Sequence, residues 1–307
     1  MKRALVLAGG GVRGAFEVGA IEYLVVKEGI DFDMFFGTSV GALNAAVLGM
    51  AKNYRELVAQ TSQLKQLWLS IKGNDSIYSR NWGKFLRLIF NDALYNPNGL
   101  RRIIKEQIDP DRLCNNPNKF TKVTAVAIET GELFFADSRN RSIKEQFLDF
   151  ILASASIPVF FPPVQINGQH WYDGGLRDTT PLAAAIKEHP DEILVILTFP
   201  VDEKLHPLIE TVSYRGVFAS LLRTIQIMSN EISANDLQVA RLINQHYRCI
   251  PGKQKIPIHL IAPPKSLKGN ILDFEPAAIR ANIESGYQAA QNPQLIGHLE
   301  TTRISAK

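Results

Sequence analysis

Cysteine is scarce in this chain. Cys114 and Cys249 are the only two, and their separation gives neither a metal-ligand spacing nor a redox motif nor a disulfide framework, so a reducing compartment is expected. Long apolar runs are missing as well: no window approaches the length of a membrane span. The apolar run behind Lys2-Arg3 stops at Gly9 and meets Arg13 and Glu17, too short for a signal-peptide core. Charge of one sign is nowhere concentrated. Thirty-four Lys and Arg against thirty Asp and Glu leave a net charge of +4 that is spread along the sequence, so nucleic acid is not an expected partner. That mild basicity suits weak attraction to an anionic membrane surface and equally an average soluble protein. No loop clusters acidic ligands as a calcium site does, and neither metal nor cofactor is expected. Internal repeats, low-complexity tracts and linker-like stretches are absent too, so the expectation is one domain over residues 1–307, its motif-bearing part at 4–200 and a helix-rich part at 201–307. The expected location is the cytoplasm, in solution or peripheral at a membrane surface.

What is present is an alternation of strands and helices. Residues 4–8 read as a strand buried on both faces, 15–27 as a helix stopped by Glu28-Gly29, 33–37 as a second strand and 40–50 as a second helix. Two such units in succession predict an α/β fold around a mainly parallel sheet. Residues 52–108 carry Leu57, Leu64, Leu67-Trp68, Ile71, Phe85 and Leu88-Ile89 at helical spacing without a strand pattern, which predicts a helical insertion over one side of the sheet. Its aromatics, Tyr78, Trp82, Phe85, Phe90 and Tyr95, are expected in the core. A hairpin is predicted about Thr130-Gly131, a helix over 143–154, a strand over 169–172, a helix over 181–188, buried strands over 192–199 and 257–262, a long helical segment over 207–247 and a closing helix over 275–291.

Three short stretches carry chemistry. Gly37-Thr38-Ser39-Val40-Gly41 stands between strand and helix, where flanking glycines let the backbone take a strained turn that lifts Ser39 clear of its neighbours. The plain alternative is a serine that caps the helix. Gly9-Gly10-Gly11-Val12-Arg13-Gly14 follows a strand and opens a helix, so its amides and the helix dipole converge on a space fit for a phosphate or an oxyanion. Gly9, Gly11 and Gly14 also satisfy dinucleotide-loop spacing, with Asp31 and Asp33 available for a ribose, but the next strand runs straight into the serine turn, where a cofactor would compete with substrate. Asp173-Gly174-Gly175 holds a carboxylate forward on a turn. It serves either as an Asx-type turn or, with apolar neighbours such as Trp171 and Phe160-Phe161 raising its pKa, as a base for Ser39. None of the six histidines occupies a glycine-marked loop, although His170 is close enough in sequence to line the same cavity.

These blocks in this order, with Ala153-Ser154 and Pro158 just upstream of the last, resemble the patatin-like phospholipases. The resemblance spans residues 9–175 and implies a three-layer α/β/α fold with no cofactor. It implies that Ser39 attacks an acyl ester while Asp173 serves as its base, in a Ser-Asp dyad without histidine. Gly10, Gly11 and Val12 would supply the oxyanion hole, Gly14, Gly37, Gly41 and Gly174 would support the loops, and Arg13 would contact a lipid phosphate or anchor its loop by an ion pair. The implied activity is carboxylic ester hydrolysis that releases fatty acid from a phospholipid or another acyl lipid. Alternatives on the same scaffold are a soluble carboxylesterase or thioesterase, or a non-catalytic anion- or lipid-binding relative, and a histidine-dependent hydrolase is the rival mechanism. The insertion or the 207–247 segment is expected to form a lid or a membrane-docking face, with core packing as the alternative source of the same spacing.

Overall fold

The computed structural model describes residues 1–80, 93–208, 215–250 and 254–296. Trp82, Phe85, Leu88-Ile89 and Phe90, named above, lie outside these, as does His298, one of the six histidines. In chain order the elements are β1 (Arg3–Leu7), α1 (Gly14–Glu22), β2 (Met34–Gly37), α2 (Val40–Gly49), α3 (Tyr54–Ser70), β3 (Ser79–Arg80), β4 (Tyr95–Asn96), α4 (Asn98–Gln107) and α5 (Pro110–Cys114). There follow β5 (Phe120–Ala127), β6 (Leu133–Asp137), α6 (Phe147–Ser154), β7 (Val164–Ile166), β8 (Gln169–Asp173), α7 (Leu182–Ile186), β9 (Glu192–Ile196), α8 (Val217–His246), β10 (Ile258–Ile261), α9 (Pro276–Ala289) and β11 (Gln294–Ile296).

The main sheet runs β11-β10-β9-β1-β2-β5-β8-β7, with β6 also on β5. Its centre, β10-β9-β1-β2-β5, is parallel throughout, and the antiparallel strands lie toward its two sides. Side chains alternate between faces along each strand and so divide the core in two. Leu5, Leu7, Phe35, Leu194 and Ile196 point into a cluster with α1, α2, α3, α6 and α9. Ala4, Val6, Met34, Phe36, Ile193 and Val195 point into the other, beneath α7 and α8. This is the three-layer α/β/α arrangement. On the first face α1 and α9 meet through glycine: a Cβ on Gly19 would strike the Ile283 carbonyl, and one on Gly286 the Phe16 carbonyl. The helices therefore pack backbone to backbone, which fixes α1 and the loop that precedes it.

One strand brings two distant segments together. Along β5, residues 120–123 pair with β2, 122–126 with β6 and 125–127 with β8. Overlapping pairs must use opposite edges, so β8 takes over the edge of β5 where β2 ends. Gly37 faces Val123 and Asp173 faces Ala125, so the C-terminal ends of β2 and β8 meet head-on about Thr124. The serine turn and the aspartate turn both start there.

Several details differ from the sequence reading. The insertion holds a two-stranded ladder, β3-β4, because two-residue strands are too short to produce an alternating pattern. β7 pairs with β8 through a tight hairpin turn at Asn167-Gly168, both at positive φ (50° and 82°), the signature of a primed turn. Residues 23–27 continue α1 as a π-helical turn, and within the 207–247 segment α8 starts only at Val217. Tyr78 is buried as expected and stacks near Tyr95 and Phe161, with ring centroids 4.5 and 5.7 Å away. Among the described residues no helix is long and apolar enough to cross a membrane.

Candidate active site

Ser39 stands at φ 56°, ψ −124°, a conformation that a side chain adopts only when its surroundings enforce it. The enforcement is steric and polar together. A Cβ on Gly37 would run into the backbone of Gly41, and one on Gly41 would come within 2.5 Å of the Leu7 carbonyl, so the turn closes only with glycine at both places. The Ser39 amide donates to the buried Ser154 hydroxyl at 2.9 Å, and the Gly41 and Ala42 amides close the first turn of α2 onto the Thr38 and Ser39 carbonyls. The hydroxyl therefore sits at the positive end of a ten-residue helix whose residues are all buried.

Asp173 ends β8 and is held from both sides. Its amide donates to the Ser156 carbonyl at 3.0 Å, its carboxylate accepts from the Gly175 amide at 2.7 Å, and the Ser39 hydroxyl is near enough to favour its ionised form. The loop at 154–156 thus anchors the serine with one residue and the aspartate with another. Gly174 packs on Thr124, where a Cβ would collide with the hydroxyl, and the Thr38 and Thr124 hydroxyls bond to each other at 2.7 Å at the junction of the two turns. Burial pushes the Asp173 carboxyl up to about 7, against the lowering pull of the bonds from Gly175 and Ser39. Such a group changes protonation near neutrality.

The glycine loop arranges amides as the third component. The Gly9 carbonyl accepts from the Thr198 hydroxyl, and the Gly10 carbonyl accepts from the Arg13 amide at 3.1 Å. In a trans peptide N–H and C=O point opposite ways, so these two bonds turn the amides of Gly10 and Gly11 outward. Among the described residues neither amide has an acceptor. A side chain at Gly10 would meet Thr198, and one at Gly11, whose φ is 56°, would meet the Ile271 carbonyl. The Val12 amide differs from expectation: it donates to Ile271 at 3.0 Å, so the open donors are two, not three. Gly14 lets α1 approach Val40 at the start of α2, and Arg13 is buried along the cavity wall.

Two cavities meet at Ser39, Gly11 and Ile157. One, of about 680 Å³ including its mouth, is walled almost entirely by apolar side chains: Val40 and Leu43 of α2, Leu67 and Trp68 of α3, Leu100, Ile103 and Ile104 of α4, with Leu272 and Phe274. The other, about 570 Å³, is more polar and holds Asp173, Arg13, Thr198 and Thr179, with Gln226, Ser229 and Asn230 of α8. No histidine lines either cavity among the described residues. His170 is instead exposed and bonded to Glu129 at 2.7 Å, which removes it from the place open to it in the sequence. Asp178, also pushed to about 7 by burial and then by the charge of Asp236, lies behind the site and lines neither cavity.

Thr198 and the 267–274 loop escape a reading of the sequence. Thr198 is one hydroxyl in an apolar run, and the loop is held at the site by contacts remote in sequence: besides the Val12 amide on Ile271, Tyr78 donates to the Leu272 carbonyl at 2.5 Å and the Phe274 amide to Asn74 at 2.7 Å.

The family model for patatin-like phospholipase matches residues 5–186. The uncharacterized protein YjjU of Escherichia coli K12 is 26% identical over 291 residues, covering 92% of this chain and 74% of its own length. A cGAMP-activated phospholipase of Escherichia coli is 29% identical over 198 residues, 58% of this chain and 53% of that protein. Lysophospholipase NTE1 of Meyerozyma guilliermondii is 26% identical over 215 residues, 65% of this chain but only 13% of that protein.

Proposed function

Because the chain belongs to the patatin-like phospholipase family, we propose that it is a serine lipid acyl hydrolase of phospholipase A or lysophospholipase type, working through Ser39 and Asp173. The observation that carries this reading is the convergence on one point of a serine on a strained turn, a buried carboxyl near neutrality, two amides without acceptors among the described residues and a cavity walled by apolar side chains. The acyl chain lies in the cavity walled by α2, α3 and α4, and the glycerol and headgroup lie in the polar one.

In the first step the Ser39 Oγ forms a bond to the ester carbonyl carbon while its proton passes to the Asp173 carboxylate. The carbonyl electron pair moves to oxygen, and the Gly10 and Gly11 amides bind the oxyanion, a contribution of about 3 kcal/mol per donor. The intermediate collapses, the C–O bond to the leaving alcohol breaks, and Asp173 returns the proton to that alcohol. Water then repeats the sequence on the acyl-serine: Asp173 takes its proton, the fatty acid leaves and Ser39 is regenerated. Asp173 suits both halves because a group near neutral pKa is competent as base and acid alike. Arg13 at the polar wall supplies a cation toward a lipid phosphate.

The test is incubation of the purified chain with diacyl- and lysophospholipids and mass-spectrometric identification of products. Free fatty acid released by the wild type and not by Ser39→Ala supports the reading, and equal release by both variants contradicts it.

A further inference from the structure

Glu17 is a carboxyl that the chemistry above leaves unused. It stands on α1 with no exposure to solvent. A carboxyl wholly inside a core is destabilising unless polar partners offset its lost hydration. The partner is Asn44 of α2, equally buried, whose Nδ2 donates to the Glu17 Oε2 at 2.7 Å and to the Gly14 carbonyl at 3.3 Å. The other end of that amide, Oδ1, accepts from the Nε1 of Trp68 on α3 at 3.0 Å. One side-chain amide thus joins three helices.

Chemistry fixes which way the amide points. An indole N–H can only donate, so Asn44 must turn its oxygen to Trp68, and its NH2 group then needs acceptors on the opposite side. Glu17 supplies the shorter of the two bonds there; without it the Gly14 carbonyl, at 3.3 Å, would act alone. Burial pushes the Glu17 carboxyl well up from the ordinary carboxylate range, against the lowering pull of Asn44 and the Ala8 amide, so the neutral acid is favoured. The far end of this relay lies in the proposed acyl site. Trp68 walls the apolar cavity, packs over Gly14, where a Cβ would come within 3.2 Å of its ring, and stacks on Phe274 of the same wall, with ring centroids 6.5 Å apart. The outer torsion of a tryptophan is soft, so packing alone leaves the indole room to tilt; the bond to Asn44 removes that freedom.

We propose that Glu17 is a positioning residue for acyl-chain selection: by orienting the Asn44 amide it holds the Trp68 indole in the cavity wall, and the indole sets which chain lengths the cavity accepts. The inference rests on the lipid-hydrolase reading for the identity of the chain. The relay bonds to neither Ser39 nor Asp173, so it acts on which ester is taken and not on bond making.

The experiment compares the wild type with Glu17→Gln, which keeps a neutral acceptor for Asn44, Glu17→Met, which keeps the shape without the acceptor, Trp68→Phe, and the double variant Glu17→Met, Trp68→Phe. Glu17→Leu is read in place of Glu17→Met if the latter does not melt cooperatively. Three quantities are measured: kcat/KM for p-nitrophenyl esters from butanoyl to hexadecanoyl, affinity for the free fatty acids of the same lengths, and the indole N–H resonance of Trp68, assigned by its loss in Trp68→Phe. Glu17→Met should move the long-to-short ratio of kcat/KM roughly three- to tenfold, in the direction that Trp68→Phe moves it, and should shift the Trp68 resonance. Glu17→Gln should hold that ratio within about twofold of wild type and keep the resonance, and the double variant should lie within about twofold of Trp68→Phe, because the end of the relay is already gone. The relay is overturned if Glu17→Met lowers turnover equally at all lengths, as a merely structural carboxyl would, if Glu17→Gln shifts the profile as Glu17→Met does, if the Trp68 resonance does not move, or if the Glu17→Met shift persists in full on Trp68→Phe. A wild type that hydrolyses no ester, with fatty-acid affinities that follow the variants in the expected order, would support the relay and remove the hydrolase reading.

Discussion

The two cavities that meet at Ser39 are built in opposite ways. The apolar one is enclosed by helices of the insertion, so its wall is made of core side chains: Leu64 and Trp68 on α3 and Ile104 on α4 are all at most 2% exposed, and Trp68 and Ile104 also face the cavity. The polar one is enclosed by loops and by the first half of α8, and its wall is fixed by individual hydrogen bonds such as Thr198 to Gly9. A wall that is also core tolerates little change of volume, whereas a wall of separately anchored groups can vary one contact at a time. Acyl-chain length should therefore be a rigid property of this enzyme and headgroup preference an adjustable one.

Changes at the shared junction strike both sides of this contrast and have the largest effect. Asp173→Asn should lower kcat/KM by roughly a hundred- to ten-thousandfold for every ester, whatever its chain or headgroup, since the proposed general base is lost. It should also raise Tm at pH 8. The folded-state pKa of Asp173 is raised to about 7 from 3.8, so the folded state favours the protonated acid. The associated stability is fully present below pH 3.8, declines as pH climbs toward 7 and is gone above it, at a cost of at most about 4 kcal/mol that asparagine avoids. Thermal melts at pH 4.5 and 8 check the sign: the variant's advantage should grow with pH.

Next in size is a change to the polar side alone. Thr198→Val frees the Gly9 carbonyl and loosens the peptide that aims the Gly10 amide, so kcat should fall roughly tenfold with KM nearly unchanged, as for a contact made in the transition state. Ile103→Trp acts on the apolar side: it should cost roughly tenfold on long-chain relative to short-chain p-nitrophenyl esters, because the added ring fills the cavity beyond the reaction centre. Uniform loss across chain lengths would show that this cavity does not receive the acyl chain. The smallest effect is one of pH. kcat/KM should rise through about pH 7 as Asp173 ionises, and Asp178→Asn should leave that limb in place because Asp178 lines neither cavity.

The contrast also explains what the sequence made legible. The serine turn and the amide cradle leave a local mark, since their glycines cluster at strand-to-helix turns, but of the contacts that demand them only the one between Gly37 and Gly41 is local; Gly10, Gly11 and Gly41 answer to Thr198, Ile271 and Leu7. The strand-helix alternation of the parallel sheet is readable because each strand and helix shows its own apolar pattern. That Asp173 belongs beside Ser39 came from resemblance, because the physical cause is the shared edge of β5, a relation between strands that no single segment displays. Thr198 and Ile271 are single residues whose roles arise only after folding. Leu67 and Trp68 read as one face of an amphipathic helix, and Trp68 is core with Leu67 packed against it, but helical periodicity does not separate a packed side chain from one that also walls a cavity. The turn at Asn167-Gly168 carries a local signal too, an Asn-Gly pair at the left-handed positions of a tight hairpin.

The central claim is that Ser39 is a nucleophile made reactive by Asp173. Its most direct test is intact-mass measurement after exposure to a fluorophosphonate. The account predicts a single adduct on the wild type, none on Ser39→Ala and labelling slowed by roughly a hundredfold or more on Asp173→Asn. An adduct on Ser39→Ala, or labelling of Asp173→Asn at the wild-type rate, would contradict it.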